Sequence, residues 1–557
     1  MSKLLLPLLL LLSYTTYTQS DSMALVEILD DYGSLNETLS PWQLTTPHSA
    51  AREIGDLTAL RSRLAPLTDL THQQKIDRDL LDFVLDDRLF LLDFGDYLFP
   101  LDAEGGFLAG IVYRLSNSRV ADEVDYAHLS ERLRTLPEYF AGQRQNMREG
   151  MARGKVNPRR VVELNIALID RQLETPVEES LFVLPVTGTE WQDSIVQLTR
   201  DSVYPAYTAL RQFLTEEYLP ALPQGIGISE ITDGKEFYRQ RVRFFTSDST
   251  ATPEEVFATG QREVARIRSE MDSIIVTTGF EGSFADFVLH LRTAAHFYAE
   301  TPEQLLERAA WITKRMEGKM PRYFNKLPRM PLTVSPVPAA LAPNYTGGRY
   351  SSGSYEDRRA GAFWVNTYDL PSRPLYTLPA LALHEGVPGH HTQMMLAAEL
   401  EEMSDFRRGL YLSAFGEGWG LYAEYLGEEA GMYTDAYEQF GRLTYEMWRA
   451  CRLVVDPGMH YFGWSRDEAV AFMGENTALS LREVNSEIDR YIGWPGQAVS
   501  YKMGELRIRQ LRSEAEAALG ARFDLAEFHD IVLGNGSVTM SLLATEVRRY
   551  VADRLED

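Results

Sequence analysis

Apolar residues recur at helical spacing along most of this chain. The segments from Asp77 to Leu92, from Asp125 to Gly150 and from Pro158 to Leu173 place apolar side chains three and four positions apart, as on one helical face. Two more helices are predicted where Thr252-Pro253-Glu254-Glu255 and Thr301-Pro302-Glu303-Gln304 form capping boxes with proline at the first helical position. The pattern therefore predicts a mostly α-helical protein.

One region interrupts the helical pattern. The stretch from Leu327 to Arg349 is rich in proline and ends in Gly347-Gly348, which predicts an irregular connection over the surface or at the mouth of a cleft. The segment from Ala362 to Thr367 is rich in β-forming residues and predicts one of few strands. Such a strand either offers an exposed edge to an extended peptide or lies buried beneath the helix that follows it.

Composition and charge narrow the class of protein. The chain has 557 residues, 45% of them hydrophobic and 24% charged, so it can bury a large core. No long linker or repeat divides it, and we expect one large domain over residues 21–557, in one or two lobes. The net charge of −25, without a visible cluster of Lys and Arg, argues against nucleic acid as a partner.

The N-terminus has the pattern of a signal peptide over residues 1–20. Lys3 precedes the apolar run from Leu4 to Leu12, and Thr18-Gln19-Ser20 offers small residues near a cleavage point. We expect export to the periplasm or the extracellular space. The run is shorter than the ~20 residues of a membrane-spanning helix, although an uncleaved anchor is the alternative. The single cysteine, Cys451, is expected to be a packed helix residue.

The chemical signal lies in His384-Glu385-Gly386-Val387-Pro388-Gly389-His390-His391, which holds three of the ten histidines. Imidazoles bind Zn²⁺, and the metal activates a water molecule if a carboxylate accepts its proton. The usual H-E-x-x-H motif spaces its histidines by four residues on one helical face, whereas the candidates here follow after six and seven. Pro388 and the glycines beside it predict a widened turn that brings two imidazoles together. We favour His390 as the second ligand, with His391 as the alternative.

A third ligand is predicted 33 residues after His384. Glu417 lies among apolar and aromatic residues such as Phe415 and Trp419, where an unpaired charge would be costly and a metal ion would remove the cost. Glu424 lies seven residues further on the same helical face. It is either an alternative ligand or a partner that orients a ligating histidine.

These motifs, H-E-G-V-P-G-H-H and E-G-W-G-L-Y-A-E, resemble a bacterial family known as DUF885 and, through it, the gluzincin type of zinc peptidase. The segment from Arg490 to Gly504 is similar to the family's R-Y-x-x-x-P-G-Q-A-x-S-Y-K-x-G signature, and Phe528-His529-Asp530 to its F-H-D. The resemblance is strongest from Asn344 onward. It implies a large, elongated, mostly α metallopeptidase-like fold with a small β element beside the metal-binding helix, and catalytic motifs within 344–557. In those relatives a Gly-His pair supplies the second ligand, which favours His390, but the H-P-F element of the carboxypeptidase relatives has no counterpart here.

Together these features predict a zinc-dependent hydrolase that cleaves the amide bonds of small peptides. One Zn²⁺ per chain would bind to His384, His390 and Glu417, although another divalent transition metal would suit the same ligands. Glu385 would accept a proton from the activated water and pass it to the leaving amine. The alternative is a non-catalytic, metal-containing binding protein of the same fold.

Four downstream residues are candidates for contacts with the substrate. Tyr501, and after it Tyr491, would donate a hydrogen bond to the oxyanion. Arg490 or Lys502 would bind a substrate carboxylate. Each of these can instead be a packing residue or a surface charge. His529, beside Asp530, is expected to be a hydrogen-bonded structural histidine.

Overall fold

The computed structural model describes residues 21–35, 42–116, 120–339, 341–342 and 345–556. The predicted signal peptide over residues 1–20 lies outside the described residues. The chain forms two compact units, the first from Met1–Phe237 with Asp489–Trp494 and the second from Tyr238–Ile488 with Pro495–Asp557. In the described part of the chain, no helix is both long and apolar enough to cross a bilayer.

Helices build the first unit. They are α1 (21–35), α2 (Pro47–Leu64), α3 (His72–Phe94), α4 (Phe107–Ser116), α5 (Glu123–Arg153), α6 (Arg159–Glu174), α7 (Gln192–Leu198) and α8 (Tyr204–Phe213). Helices α3, α5 and α6 confirm the three helical segments predicted from apolar spacing, except that Pro158 precedes α6 as its N-cap. Two helices contain residues of both units, α9 (Gly234–Thr246) and α19 (Leu481–Gly493).

The second unit is also mostly helical. Its helices are α10 (Pro253–Thr278), α11 (Phe284–Thr293), α12 (Pro302–Glu317), α13 (Leu378–Glu385), α14 (His390–Ala398), α15 (Asp405–Arg408), α16 (Ser413–Glu429), α17 (Ala436–His460), α18 (Arg466–Asn476), α20 (Ser500–Leu519), α21 (Leu525–Leu533) and α22 (Met540–Glu556). Helix α17 is buried along most of its length and packs on α10. Cys451 lies on α17 as a buried free thiol, which confirms that it is a packed helix residue.

Helices α10 and α12 begin where the sequence predicts, although neither capping box is complete. The hydroxyls of Thr252 and Thr301 accept hydrogen bonds from the backbone N–H of the third residue of their helices, Glu255 and Gln304. The return contacts differ from the expected pattern. The Glu255 carboxylate accepts from the Thr252 hydroxyl, and the Gln304 side chain accepts from the N–H of Glu300, one residue before the cap.

Three short strands form one sheet in the order β1-β3-β2, with β1 (Leu332–Pro336), β2 (Gly348–Ser351) and β3 (Gly361–Val365). Strand β3 confirms the strand predicted near residues 362–367. It pairs with β1 in parallel and with β2 in antiparallel orientation, so β3 is central and has no free edge. The prediction of an irregular stretch over 327–349 was wrong for β1, because Leu332, Thr333 and Val334 are β-formers and Pro336 occupies the strand end.

Helices α16 and α20 approach each other closely at two glycines. A Cβ atom on Gly418 would lie 2.7 Å from the Cα of Gly504, and one on Gly504 would overlap the carbonyl of Ala414. Because no side chain separates the two backbones, α16 is fixed against α20 at the turn that carries Glu417. Helices α13 and α14 both pack on α16, which brings their histidines to the same turn.

Candidate metal centre

The histidine motif is divided between two helices. Helix α13 ends at Glu385 and α14 begins at His390, so the two candidate imidazoles do not share one helical register. The turn between them is wide: the N–H of Gly389 donates to the carbonyl of Leu383, six residues back, at 3.0 Å. The Trp419 indole of α16 donates to the carbonyl of Pro388 at 2.9 Å and ties this turn to the helix that carries Glu417. The structure therefore contains the widened turn around Pro388 that the sequence predicts.

His384, His390 and Glu417 converge on one point. Their ligand atoms all lie within 4.8 Å of one another. Oε2 of Glu417 lies 3.4 Å from Nε2 of His384 and 3.5 Å from Nε2 of His390. Both histidines are buried, and 15% of the Glu417 side chain remains exposed. The structure thus brings together the three residues that the sequence predicted as ligands.

The spacing of these atoms fits a zinc ion. In a tetrahedral site with bonds of about 2.0–2.1 Å, neighbouring ligand atoms lie about 3.3 Å apart. The two contacts of 3.4 and 3.5 Å to Glu417 are close to that value. Two imidazole nitrogens and one carboxylate oxygen are also a typical donor set for catalytic zinc, which keeps a further position for water.

Glu424 orients the first imidazole. The Nδ1–H of His384 donates to Oε1 of Glu424 at 2.8 Å, which directs Nε2 at the cluster. The guanidinium of Arg449 lies 3.4 Å from the same oxygen, so the buried carboxylate of Glu424 has a second charged partner. Of the two roles predicted for Glu424, this hydrogen bond fits that of the orienting partner.

The charges of the cluster compensate one another without a metal. Burial lowers the pKa of His384, but hydrogen bonds to Glu417 and Glu424 outweigh this effect and raise it to about 9. Burial opposes ionisation of Glu417, but its contacts with His384 and His390 hold the pKa of its carboxyl well below the usual value. A metal ion that binds here must therefore replace a proton.

A backbone N–H of the sheet positions Glu385. This carboxylate is 9% exposed, and its Oε2 accepts a hydrogen bond of 2.8 Å from the N–H of Tyr350 on β2. Because the bond lies on the side of β2 that faces away from β3, the outer edge of the sheet lies beside Glu385. Glu385 directly follows the ligand His384 and stays free of the ligand cluster itself.

His391 is a structural residue. Its Nε2–H donates to the carbonyl of Met330 at 3.0 Å, and its Nδ1 accepts from the Tyr350 hydroxyl at 3.0 Å. Both ring nitrogens are therefore engaged away from the cluster, and burial lowers the pKa of this histidine. The alternative in which His391 replaces His390 as a ligand does not fit this arrangement.

A glycine on α16 allows the close contact with His384. A Cβ atom on Gly420 would lie 2.5 Å from Cε1 of the His384 ring. The imidazole rests directly on the backbone of α16, one turn after Glu417.

The residues predicted downstream of the ligands differ in their placement. Lys502 is fully buried, and its ammonium lies 2.8 Å from Glu446, 2.6 Å from Glu505 and 3.3 Å from Glu263. A role for Lys502 in substrate binding does not fit this environment, because three carboxylates already surround the charge. Tyr501 stacks on the guanidinium of Arg452 at 4.1 Å and remains a predicted donor.

Arg490 and Tyr491 belong to the first unit, whereas the ligand cluster lies in the second. Tyr491 is fully buried, and the guanidinium of Arg490 lies 4.9 Å from the centroid of its ring. Their assignment to catalysis and to substrate binding stays a prediction.

His529 is a second structural histidine. Its Nδ1–H donates to the carbonyl of Tyr323 at 2.8 Å, and its Nε2 accepts from the hydroxyl of Tyr422 on α16 at 2.8 Å. Burial lowers its pKa from 6.5 to about 3. The prediction of a hydrogen-bonded structural histidine fits this geometry, although its partners are Tyr422 and Tyr323 rather than Asp530.

Sequence reasoning missed Tyr411, which contacts Glu417, and Tyr350, which contacts Glu385 and His391. The hydroxyl of Tyr411 donates to Oε1 of Glu417 at 3.0 Å, and 47% of the residue is exposed. Enclosure of its hydroxyl end and the nearby charge of Glu417 raise the pKa of Tyr411 well above its usual value. Neither tyrosine belongs to a recognisable motif. Only the position of Tyr411, six residues before Glu417, gives a weak signal.

Fold and site define a mostly α protein with a buried His-His-Glu cluster and an adjacent glutamate. The chain belongs to the DUF885 family, described as bacterial protein of unknown function, whose model matches residues 32–547. None of the curated proteins matches the chain.

Two solved structures share the fold. One, from Colwellia psychrerythraea and described as a "putative lipoprotein", has a TM-score of 0.83 and 26% sequence identity over 92% of both chains. The other, from Shewanella oneidensis and described as a "putative lipoprotein of unknown function", has a TM-score of 0.74 and 18% identity, over 96% of this chain and 98% of that chain.

Proposed function

We propose that this protein is a zinc-dependent hydrolase that cleaves the amide bonds of small peptides. The observation that carries the proposal is the convergence of His384, His390 and Glu417 within 4.8 Å, with Glu385 as a further buried carboxylate next to the first ligand. A purely structural zinc site is usually closed by four protein ligands, whereas a catalytic one leaves a position for water. Three ligands and an adjacent base therefore favour catalysis.

Glu385 is the proposed general base. When bound, zinc acidifies a water molecule and polarises the carbonyl of the substrate. Glu385 accepts the proton of the attacking water and then delivers it to the leaving nitrogen, which departs as an amine. The hydrogen bond from the N–H of Tyr350 holds one carboxylate oxygen in place and leaves the other for proton transfer.

The outer edge of β2 favours an extended peptide as the substrate. Strand β2 pairs with β3 on one side only, and the N–H of Tyr350 on its other side meets Glu385. A peptide that adds to this edge would place its backbone beside the proposed base. This role, which the sequence suggested for β3, moves to β2 because β3 is the central strand.

We also propose that the protein is exported. The predicted signal peptide over residues 1–20 supports this, as does the description "putative lipoprotein" of the structure from Colwellia psychrerythraea. Small peptides outside the cytoplasm would then be its substrates.

The proposal is tested with purified protein and a library of short peptides whose products are identified by mass spectrometry. Zinc-loaded protein is expected to cleave some of them. The Glu385→Gln variant should lose about 10²–10⁴-fold in kcat, because the general base is absent, and should keep its zinc in elemental analysis. Glu401→Gln, which removes the charge of an exposed glutamate, is the matched control and should retain activity.

Two results would contradict the hydrolase. Zinc retained without turnover of any peptide, ester or amide would favour a metal-containing binding protein of the same fold. An active protein in which Glu385→Gln has no effect would refute the role of the base.

A further inference from the structure

Tyr411 lies at the centre but has no role in the function proposed above. It precedes α16 by two residues, and its hydroxyl donates to Oε1 of Glu417 at 3.0 Å. The other oxygen of that carboxylate, Oε2, faces both histidines. Tyr411 and the two histidines therefore contact different oxygens of the Glu417 carboxylate.

The ring of Tyr411 lies on the first turn of α16. A Cβ atom on Gly416 would overlap the phenol, so only a glycine allows the ring this position beside Glu417. The next residue is anchored, because the N–H of Leu412 donates to the Ser537 hydroxyl at 2.8 Å. The anchored backbone at Leu412 and the packing against α16 thus fix the position of the Tyr411 side chain and of its hydroxyl.

Tyr411 combines this contact with exposure. Whereas His384, His390 and Glu385 are each less than 10% exposed, 47% of Tyr411 is exposed. The side chain therefore extends from a member of the cluster to solvent, from which a substrate must enter.

Tyr411 is a further candidate donor beside the two tyrosines predicted from the sequence. The ring of Tyr501 stacks on the guanidinium of Arg452, and Tyr491 is fully buried. The hydroxyl of Tyr411 contacts Glu417, a member of the cluster, at 3.0 Å. A phenol that donates to Glu417 in the free protein can donate to a substrate oxygen after rotation about its side-chain bonds.

We propose that Tyr411 is the residue that donates a hydrogen bond to the substrate carbonyl oxygen during hydrolysis; this rests on the proposed hydrolase function. Water forms a bond to the carbonyl carbon while its proton moves to Glu385, and the π electrons of the carbonyl move onto the oxygen. The Tyr411 hydroxyl leaves Oε1 of Glu417 and donates to that negatively charged oxygen, keeping its own proton. When the C–N bond breaks, the carbonyl re-forms, the nitrogen leaves with the proton from Glu385, and the hydroxyl returns to Glu417.

The test compares Tyr411→Phe with Tyr355→Phe. Tyr355 is a close match, since it is 48% exposed and its hydroxyl donates to a glutamate, Glu399, that is not part of the cluster. For Tyr411→Phe we expect kcat to fall by about 10²–10³-fold with little change in KM, as for other lost oxyanion donors. Binding of a phosphinic analogue of the best peptide substrate should weaken by a similar factor. Because Tyr411 also donates to Glu417, the zinc Kd of each variant is measured by competition with a chelator, and the activities are compared at saturating zinc.

The outcomes separate this inference from the hydrolase proposal. If Tyr411→Phe is as active as Tyr355→Phe, the inference is overturned and the hydrolase proposal stands. A loss of activity that excess zinc restores has the same consequence, because Tyr411 would then only position Glu417. Loss of activity with unchanged affinity for the phosphinic analogue also overturns it. If the wild-type protein hydrolyses no peptide, the hydrolase proposal fails and the inference fails with it. A thermal unfolding scan of each variant confirms that the fold is retained.

Discussion

At the scale of single residues, the centre depends on which ring nitrogen of each histidine is free. Glu424 fixes His384 with Nε2 toward the cluster, and Gln393 faces Nδ1 of His390 at 3.4 Å. In His391 and His529 both nitrogens bind protein groups instead. Hydrogen-bond partners, rather than the residue type, distinguish ligand from structural histidines here.

This distinction predicts the effect of Glu424→Gln on metal affinity. A neutral amide still accepts from His384 but no longer strengthens the imidazole as a ligand, and it leaves Arg449 without its ionic partner. We expect zinc affinity to fall by about 10–100-fold, measured by chelator competition at constant pH. Glu429→Gln is the control on the same helix, because Glu429 pairs with Arg512 near the surface. Equal zinc affinities in the two variants would show that Glu424 does not tune the centre.

At the scale of elements, the break between α13 and α14 and the packing of α16 create the centre. Helix α16 supplies Glu417, Gly420 and Glu424 on one side, while Tyr422 on the same helix binds His529 of α21. The stacked ring of Phe324, 4.7 Å from His529, completes this contact. His529 thus joins the helix that carries Glu417 to the last part of the chain.

The buried His529 predicts a loss of stability in acid. Its pKa is about 6.5 in the unfolded chain and about 3 in the fold, so below pH 6.5 the unfolded state binds a proton that the folded state does not. The stabilisation from the neutral ring is complete above pH 6.5 and is lost as the pH falls toward 3, at about 1.4 kcal/mol per pH unit.

Urea unfolding at pH 7, 6 and 5 measures this effect. His529→Gln should be less stable than the wild type at pH 7, but between pH 7 and 5 its free energy of unfolding should fall by about 2 kcal/mol less than that of the wild type. His128→Gln, at an exposed histidine, controls for the loss of a histidine as such. If the free energy of unfolding changed equally with pH in the wild type and in His529→Gln, the lowered pKa of His529 would be contradicted.

The elements and the members of the His-His-Glu cluster could be predicted because their signals are local. Apolar spacing and caps specified α3, α5, α10 and α12, and the H-E and E-G-W motifs specified His384 and Glu417. What failed depended on contacts between distant segments. The pairing of β1 with β3, the burial of Lys502 among three carboxylates and the contact of Tyr411 with Glu417 are not encoded in any short pattern.

At the scale of the whole molecule, the three ligands and the proposed base all belong to the second unit. Their helices, α13, α14 and α16, lie between residues 378 and 429. Metal binding should therefore stabilise that unit directly. It should leave the first unit, which contributes no member of this cluster, without direct stabilisation.

Hydrogen exchange with mass spectrometry can locate that stabilisation. Zinc at about 100 times its Kd adds about 2.7 kcal/mol to the folded state, which slows exchange by up to about 100-fold where opening disrupts the centre. We expect the protection in peptides from 378–429 and none in peptides from 42–116. The double variant His384→Ala/His390→Ala should show no zinc-dependent change, and equal protection of both regions would contradict the prediction.

The contacts of His391 also decide how the centre tolerates damage. If His390 were lost, its neighbour would have to give up both hydrogen bonds, which would leave the Tyr350 hydroxyl without this acceptor and the Met330 carbonyl without this donor, at about 1–3 kcal/mol each. His391 therefore cannot substitute for His390 without this cost, and only one of the two consecutive histidines is available to bind a metal.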